Sequence, residues 1–335
     1  MRITPKLLNK IAEDTVAERT AADESILAAY LHGSILSEPL LGGTADVDLF
    51  FIYAGEDDSS MQREVVRLTD EVHVDISHHG QAVYAEGRNL RGDPWWGHAI
   101  HRAKILYDPQ HFLQIIQAGV RGLFESPEFV SQRAEPQLEA ARATWFKFYN
   151  QSAGEGPQLV TAYLSALENV GNAVACLSGP PLTERRFLLE FPERAEALGS
   201  PGLMPGLVGL LGGGEVDQRS LMNWLPDWED AYNAVSTLDD VPPSLHPHRK
   251  HYYAMAFQAL LENDEIHALL WPLMHTWTRS VAHLPADSSS LEGWTAACDQ
   301  LNLLGAHFEN KVAALDAYLD LVEELFEDWK AQRGV

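Results

Sequence analysis

Hydrophobic and polar positions alternate or cluster along three short stretches near the start of the chain. Residues 49–53 form an apolar run between glycines, which predicts a buried strand. Residues 72–77 alternate, with valine and isoleucine on one side and His73, Asp75 and Ser77 on the other. Residues 25–31 predict a third strand, and residues 4–19 have the apolar spacing of an amphipathic helix. The beginning of the chain therefore predicts a sheet with a helix packed on it.

From about residue 110 onward the apolar positions recur at intervals of three and four, which indicates helices. Residues 60–71 also predict a helix, opened by an acidic loop. The fold class we predict is α+β, with a mixed sheet and flanking helices over 1–120 and an all-helical region over 121–335. The glycine-rich stretch 206–214 would divide that region into two bundles. The predicted helices span 110–120, 127–153, 157–178, 184–198, 216–236, 247–284, 288–303 and 305–331.

Composition restricts the classes of function that the chain can serve. Its 335 residues are 46% hydrophobic, as in globular proteins, and 48 acidic against 24 basic residues give a net charge of −24. Such a charge opposes binding to nucleic acid and favours a cationic ligand. Cys176 and Cys298 lack metal-site spacing and indicate reduced core residues in a cytoplasmic protein. No apolar run reaches the 18 or so residues of a membrane span, and we expect no membrane association.

Three acidic residues stand where the predicted strands would bring them together. Asp46 and Asp48 are two apart and point to one face of a strand, and Asp75 joins them if its strand pairs with theirs. Ionised carboxylates repel one another and resist burial without a partner. Residues 20–62 contain no lysine or arginine that could neutralise them locally. A hard divalent cation such as Mg²⁺ would do so, and two such ions would suit a phosphoryl displacement.

Gly33 and Ser34 precede the acid pair by eleven residues, counted from Ser34 to Asp46. Glycine allows a tight turn and close approach to a phosphate, while the serine hydroxyl and nearby N–H groups can donate to it. This order of Gly-Ser, Asp-x-Asp and a lone Asp on a following strand resembles the nucleotidyltransferase superfamily of the DNA polymerase β type. Its aminoglycoside-adenylylating branch is the most similar, with a catalytic domain followed by a helical domain.

The resemblance implies two Mg²⁺ ions held by Asp46, Asp48 and Asp75, with ATP or another nucleoside triphosphate as co-substrate bound at Gly33 and Ser34. The chain departs from the family pattern in having Ala45 before the first acid and no basic residue between the Gly-Ser pair and the acids. Phosphate neutralisation then needs a cation from elsewhere. We expect Lys147 first among the candidates, the others being Arg102, Lys104, Arg142, Arg185 and Arg186.

Residues 157–191 resemble the helical acceptor-binding region of aminoglycoside adenylyltransferases. This similarity implies that Glu168 faces the catalytic cleft and takes the proton of the acceptor hydroxyl. Asp75 competes for the same role, and a glutamate on an amphipathic helix also serves as an ordinary solvent-facing carboxylate. The identity of the general base therefore stays open between these residues.

The function we expect is Mg-dependent transfer of a nucleoside monophosphate, AMP from ATP, to a hydroxyl of a small and cationic acceptor, with release of pyrophosphate. One alternative keeps the chemistry but modifies a protein or a tRNA end, as in toxin-like relatives; the net charge argues against tRNA. A second alternative is a non-catalytic nucleotide-binding protein with the same fold. The helical surface would allow a homodimer.

Overall fold

The computed structural model describes residues 3–36, 40–44, 46–55, 62–69 and 72–335. It divides into two compact units, residues 1–129 with 254–256 and residues 130–253 with 257–335. The first contains the sheet and the second consists of helices, so the α+β fold class is confirmed. Ala45 and the ends of the predicted helix 60–71 lie outside the described residues.

Among the described residues, the first unit combines five strands with three α-helices. Thr4 caps the first helix by accepting a hydrogen bond from the Leu7 N–H, and Pro5 occupies its first turn, as the sequence predicted. The elements in chain order are α1 (Pro5–Ala22), β1 (Ile26–His32), β2 (Val47–Tyr53), β3 (Gln62–Arg67), β4 (His73–Gly80), α2 (Trp96–Arg102), β5 (Lys104–Tyr107) and α3 (Phe112–Arg121).

The five strands form one mixed sheet in the order β3-β4-β2-β1-β5. Strands β2 and β4 are parallel, and every other neighbouring pair is antiparallel. The chain reaches the parallel partner of β2 by way of β3, which lies on the outer edge of β4. Parallel pairing matters because it places the beginnings of β2 and β4, where the acidic residues stand, side by side.

Each face of the sheet has its own hydrophobic core. On one face, Leu8, Ala12 and Val16 of α1 pack against alternate residues of β1, β2 and β4, including Leu31 and Leu49. On the other face, a second set packs around the side chains that point the opposite way, namely Ala28, Tyr30, Ile52, Tyr84, Ile100, Leu113, Val120 and Phe124. The acidic residues share the strand alternation of this second face and lie outside its apolar part.

The second unit is built from helices whose apolar faces point inward. The elements in chain order are α4 (Pro127–Tyr149), α5 (Gly156–Cys176), α6 (Phe187–Ala197), α7 (Leu203–Leu211), α8 (Gln218–Val235), α9 (Arg249–Glu262), α10 (Ile266–Ala282), α11 (Ser290–Gln300) and α12 (Phe308–Arg333). The first residues of α4 and residues 254–256 of α9 are assigned to the first unit. Helix α10 is buried along most of its length and packs against α5, α6, α8 and α11. Pro136, Pro226 and Pro272 lie inside α4, α8 and α10, and none of these helices is split.

The helix predicted for residues 60–71 is wrong where the structure describes it, because residues 62–67 form the edge strand β3. Val65 and Val66 are β-branched and pair across to Asp75 and Val74 of β4. Val66 also packs against the core beneath α1. The pairing with β4 is a tertiary interaction, which the local acidic loop and apolar spacing did not indicate.

Two further differences concern the helical unit. Residues 203–211, predicted as part of a glycine-rich break, form helix α7, in which the Tyr318 ring occupies the space that a Cβ at Gly206 would need. The single helix predicted for 247–284 is two helices, α9 and α10. The break includes Asp264 at φ 60°, a left-handed conformation that ends a helix.

Among the residues that the structure describes, no helix has the length and apolar content needed to cross a membrane.

The packing of α5 against the first residue of α6 gives a test of the helical core. A Cβ at Gly171 would collide with the Phe187 ring, so we expect Gly171→Ala to lower the free energy of unfolding by about 1–3 kcal/mol. Gly209→Ala is the matched control, because that helical position faces open space. It should be neutral or raise stability by up to about 1 kcal/mol. Urea unfolding followed by circular dichroism measures both, and equal effects would contradict the packing.

Candidate functional site

The register of the parallel strands brings two of the predicted acidic residues together. Asp48 of β2 is directly opposite Asp75 of β4. Residues paired in this way project from the same face of a sheet, so the two carboxylates are neighbours. Asp46 lies just before the first residue of β2 and is 3% exposed. The strand register thus brings Asp48 and Asp75 together on one face of the sheet.

His73 is a member of this group that sequence reasoning did not select. It begins β4 two residues before Asp75, and its Nε2 lies 2.8 Å from Oδ1 of Asp46. Both side chains are buried, with 6% and 3% of their surfaces exposed. The signal was present in the sequence, because the alternation of residues 72–77 puts His73 on the same side as Asp75. An imidazole beside Asp46 occupies part of that carboxylate's capacity for other partners.

Gly33 lies directly against Asp48. Its φ of 95° belongs to the left-handed half of conformational space, which glycine adopts without strain, and a Cβ at this position would collide with Oδ2 of Asp48. Ser34 follows in a short 3₁₀ turn, residues 34–36, closed by a hydrogen bond from Leu36 N to the Gly33 carbonyl. Position 33 thus favours glycine for two separate reasons, its positive φ and the close approach of Asp48.

His32 stands across from Asp48 on the neighbouring strand β1. Burial, with a smaller contribution from the positive charge of Arg102, lowers the pKa of His32 to about 4. The imidazole is therefore neutral at pH 7. Its Nδ1 is buried and has no hydrogen-bond partner among the described residues. Arg102, at the end of α2, is consequently a cation of the same unit that stands close to this face of the sheet.

The donor chemistry of the three carboxylates suits a hard divalent cation. Their present arrangement does not, however, form a complete site. Within residues 3–36, 40–44, 46–55, 62–69 and 72–335, no group of three or more histidine, cysteine, aspartate or glutamate side chains is placed to share one metal ion. The contact between Asp46 and His73 is one part of this arrangement. A metal held by all three acids would share Asp46 with His73.

An aromatic layer adjoins the acidic group on the same face of the sheet. The Tyr30 and Phe50 rings stack 4.7 Å apart, and the Tyr84 hydroxyl contacts both the Tyr30 hydroxyl at 3.1 Å and His79 Nδ1 at 2.6 Å. Burial is the main cause that lowers the pKa of His79 to about 4. His79 is therefore a neutral member of a packed layer, and Trp96 covers it edge-on. These contacts favour a structural role for the aromatic residues.

His78 points away from that layer because neighbouring strand residues face opposite sides of a sheet. Its Nδ1 lies 2.9 Å from the Tyr53 hydroxyl, and its Nε2 lies 3.4 Å from Glu64 of β3. His78 and His79 thus lie on opposite faces of the sheet and do not form one site.

The candidate phosphate-binding cations are mostly engaged elsewhere in their own units. Lys104 donates to Asn9 and Glu13, and Arg186 pairs with Glu190. Arg142 holds three carboxylates of α12, those of Asp316, Asp320 and Glu323. Arg185 lies over the Tyr252 ring. Lys147 is exposed on the last turn of α4, in the helical unit.

The helical unit contains a second group of charged residues, and Glu168 belongs to it. The carboxylate of Glu184 accepts a hydrogen bond from the Tyr253 hydroxyl at 2.6 Å and contacts Nδ1 of His275. Nη1 of Arg279 lies 3.7 Å from the same carboxylate. On the far side of the imidazole, His275 Nε2 lies 3.7 Å from Glu168. Sequence reasoning selected Glu168 but missed the other members, because they come from α9, α10 and the turn before α6.

These contacts shift the pKa values of the two glutamates in opposite directions. Burial would raise the pKa of Glu184, but His275, Arg279 and Tyr253 outweigh burial and hold it below its usual value. Burial raises the pKa of Glu168, and the Glu184 charge adds to that effect against the opposing His275 and Arg279. Burial also opposes protonation of His275, yet the two carboxylates leave its pKa raised. Glu184 therefore favours the ionised form more than an ordinary glutamate does, and Glu168 favours the protonated form more.

Comparison with known proteins gives little further guidance. No protein-family model matches the chain, and no curated protein matches its sequence. Among solved structures, the chain is similar to a nucleotidyltransferase-like protein from Exiguobacterium sibiricum, with 12% identity, coverage of 93% of this chain and 90% of that chain, and a TM-score of 0.28. A similarity this weak carries no argument about function, which rests on the residues of the site.

Gly33 and Gly43 form a matched pair for testing the glycine contact. Both have positive φ, 95° and 67°, but a Cβ at Gly43 would meet no atom within 4 Å. We expect Gly33→Ala to lower the free energy of unfolding by about 1–3 kcal/mol more than Gly43→Ala, because Asp48 must also move. Chemical denaturation measures the difference. Equal losses would mean that Gly33 is needed only for its backbone conformation.

Replacing Glu184 should lower the free energy of unfolding in a defined pH range. The lowered pKa of Glu184 contributes stability above the ordinary value of 4.5, and the raised pKa of His275 contributes stability below the ordinary value of 6.5. The first contribution is lost as pH falls through the folded-state pKa of Glu184, and the second as pH rises through that of His275. We therefore expect Glu184→Gln to cost most between these two values, about 2 kcal/mol or more.

Thermal unfolding across this pH range measures the effect, with Glu190→Gln as control because that residue makes only an i,i+4 pair with Arg186. A loss that does not vary with pH would contradict the ionic coupling of Glu184 and His275.

Proposed function

We propose that the protein transfers a nucleoside monophosphate, AMP from ATP, to a hydroxyl of a small molecule and releases pyrophosphate. The observation that supports this most directly is the pairing of Asp48 with Asp75 on one face of the sheet, beside the positive-φ Gly33. Adjacent carboxylates next to a glycine turn suit a metal-bound triphosphate better than they suit a bare protein surface.

In this proposal Asp46, Asp48 and Asp75 would hold two Mg²⁺ ions, which would neutralise phosphate charge and stabilise the attacking and leaving oxygens. Gly33 and Ser34 would bind the triphosphate through backbone N–H groups and the serine hydroxyl. The protein's own contribution is then alignment and charge neutralisation, since phosphoryl transfer requires little covalent work from side chains.

A cation of the protein is still needed for the remaining phosphate charge. Arg102 is well placed for this role, because its charge acts on His32, which faces Asp48. The acceptor hydroxyl loses its proton to a carboxylate oxygen of Asp75, its oxygen forms a bond to the α-phosphorus, and the bond from that phosphorus to pyrophosphate breaks.

The acceptor is proposed to be a small and cationic molecule, because the chain carries a net charge of −24. An acidic protein repels a polyanionic acceptor and attracts an amine-bearing one.

A non-catalytic nucleotide-binding role is the second candidate. It is favoured by the contact of Asp46 with His73 and by the described residues' lack of a group of three side chains placed around one metal ion. If the contact persists in solution with Mg·ATP present, Asp46 has less capacity left for a metal.

The test is calorimetric titration of the full chain with ATP, in the presence and absence of Mg²⁺, for the wild type and the Asp48→Asn, Asp75→Asn double variant. Removing both charges eliminates the carboxylate pair that would hold the metal, so Mg-dependent affinity should fall sharply. Pyrophosphate release with a panel of amine-bearing polyols should fall by at least about 100-fold, as for loss of a group that stabilises charge in the transition state.

Asp14→Asn is the control, because Asp14 lies on α1 and pairs only with exposed Lys10. Binding of ATP without any Mg-dependence or pyrophosphate release would support the non-catalytic candidate. Absence of ATP binding altogether would overturn both.

A further inference from the structure

Helices α4 and α12 of the helical unit lie side by side and run in opposite directions. The Trp145 indole donates a hydrogen bond of 3.2 Å to the Val312 carbonyl near the start of α12. Arg142, which comes earlier on α4, contacts carboxylates further along α12. Following α4 back toward its start therefore leads toward the end of α12, as in an antiparallel pair. Two helices packed in this way leave a groove along their line of contact, which we call the α4–α12 groove.

The floor of the α4–α12 groove is apolar. Leu138 of α4 and Phe326 of α12 line it and are themselves buried, whereas Phe146 lines it and is 50% exposed. The cavity volume is about 360 Å³, within the range of pockets that receive a ligand or a few side chains. A half-exposed phenylalanine beside buried apolar side chains is typical of a surface that a partner covers.

Carboxylates line both sides of the groove. Glu135 and Glu139 of α4 are exposed and lie one helical turn apart, and Glu323 and Glu327 line the groove from α12. Among the described residues that line the groove, Arg142 supplies the basic side chain. The groove therefore combines an apolar floor with an acidic rim.

The basic groups of the two helices do not offset this charge. Three carboxylates of α12 surround the single guanidinium of Arg142, so that cluster retains an excess of negative charge. Lys330 pairs with Glu327 at 2.7 Å, and its ammonium lies 4.8 Å from the centre of the Phe326 ring. Glu135 and Glu139 add their charges on the other side of the groove. An acidic rim of this kind attracts a cationic partner and repels an acidic one.

Aromatic side chains extend the apolar surface beyond one end of the groove. The Trp145 ring meets the Phe146 ring at 5.0 Å and stacks with the Tyr149 ring at 5.7 Å. Tyr149 is exposed. The faces of aromatic rings attract ammonium and guanidinium groups, so this end of the groove favours the same class of charge as its glutamates do.

We propose that the α4–α12 groove binds an amphipathic helix of a partner protein, with leucine or phenylalanine on one face and lysine or arginine along the edges of that face. The lining of α4 from Glu135 to Phe146 extends over about 16 Å, which matches about three turns of a helix. Apolar side chains of such a helix at helical spacing would fill the floor, and its basic residues would face the carboxylates.

A second copy of the chain is a poorer occupant than a cationic helix. Each copy carries a net charge of −24 and would bring its own acidic residues to the contact. The groove lies within the helical unit, and the inference does not depend on the proposed nucleotide chemistry.

The first experiment measures binding of a fluorescein-labelled peptide to the full chain by fluorescence anisotropy at physiological ionic strength. The probe contains about 18 leucine and lysine residues, with the leucines at helical spacing. We expect saturable binding, and a peptide of the same composition in scrambled order should bind at least about tenfold more weakly, because it keeps the charge but lacks the apolar face. Equal affinities of the two peptides would overturn the proposal.

Charge variants locate the binding on the protein. Glu135→Gln with Glu139→Gln should weaken peptide binding by at least about tenfold, because it removes two carboxylates of the rim. Glu193→Gln with Glu196→Gln is the matched control, since both residues are exposed glutamates of α6. The control should change the affinity by less than about twofold. Equal losses in the two variants would mean that the peptide responds to overall charge, and the groove would be excluded.

An apolar variant tests the floor independently of charge. Phe146→Ser should also weaken binding of the leucine-lysine peptide by at least about tenfold. Met222→Ser on α8 is the control, because Met222 is likewise a large exposed apolar residue. Circular dichroism verifies that each variant keeps its helices. An affinity that is the same in both variants would overturn the assignment to this groove.

Two further measurements distinguish other occupants of the groove. In sedimentation velocity, a dimer of the full chain that Phe146→Ser dissociates would assign the groove to a second copy and overturn the proposal. In competition, we expect spermine, which is cationic but lacks bulky apolar groups, to displace the peptide only at a much higher concentration of charge. Displacement at an equal concentration of charge would indicate a polyamine site in place of a helix-binding groove.

Discussion

The repulsion between Asp48 and Asp75 is the constraint on which the candidate site depends. Parallel pairing of β2 with β4 fixes the two carboxylates side by side, and strand alternation leaves neither free to move to the other face. Gly33 is pressed against Asp48, which confines the charge further. In the proposed function, a divalent cation with a bound triphosphate would offset this repulsion, because its charge and ligand preference suit adjacent carboxylates.

On the same sheet, His73 contacts the third acidic residue, Asp46. The imidazole meets Asp46 in a buried position, where an unpaired carboxylate would be costly. The contact offsets part of the cost of burying the Asp46 carboxylate.

The helical unit solves a similar electrostatic problem with protein groups alone. Glu184 is stabilised by the charges of His275 and Arg279 and by a hydrogen bond from the Tyr253 hydroxyl, within one partly buried cluster. Glu168 stands at the edge of that cluster with a single long contact to His275. Glu184 has several hydrogen-bonding and ionic partners, whereas Glu168 has one long contact. This difference in partners gives Glu168 a distinct chemical character that its position on an amphipathic helix did not indicate.

The sequence by itself determined the class of fold, the capped first helix, the strands around 26–32 and 47–53, and the common face of Asp48 and Asp75. Each of these follows from local periodicity or from the fixed alternation of a strand. Only the tertiary structure decided that residues 62–67 form an edge strand, that His73 contacts Asp46, and that His275 lies between Glu184 and Glu168. These outcomes depend on pairing and packing between residues far apart in the chain, whose energies local sequence patterns do not contain.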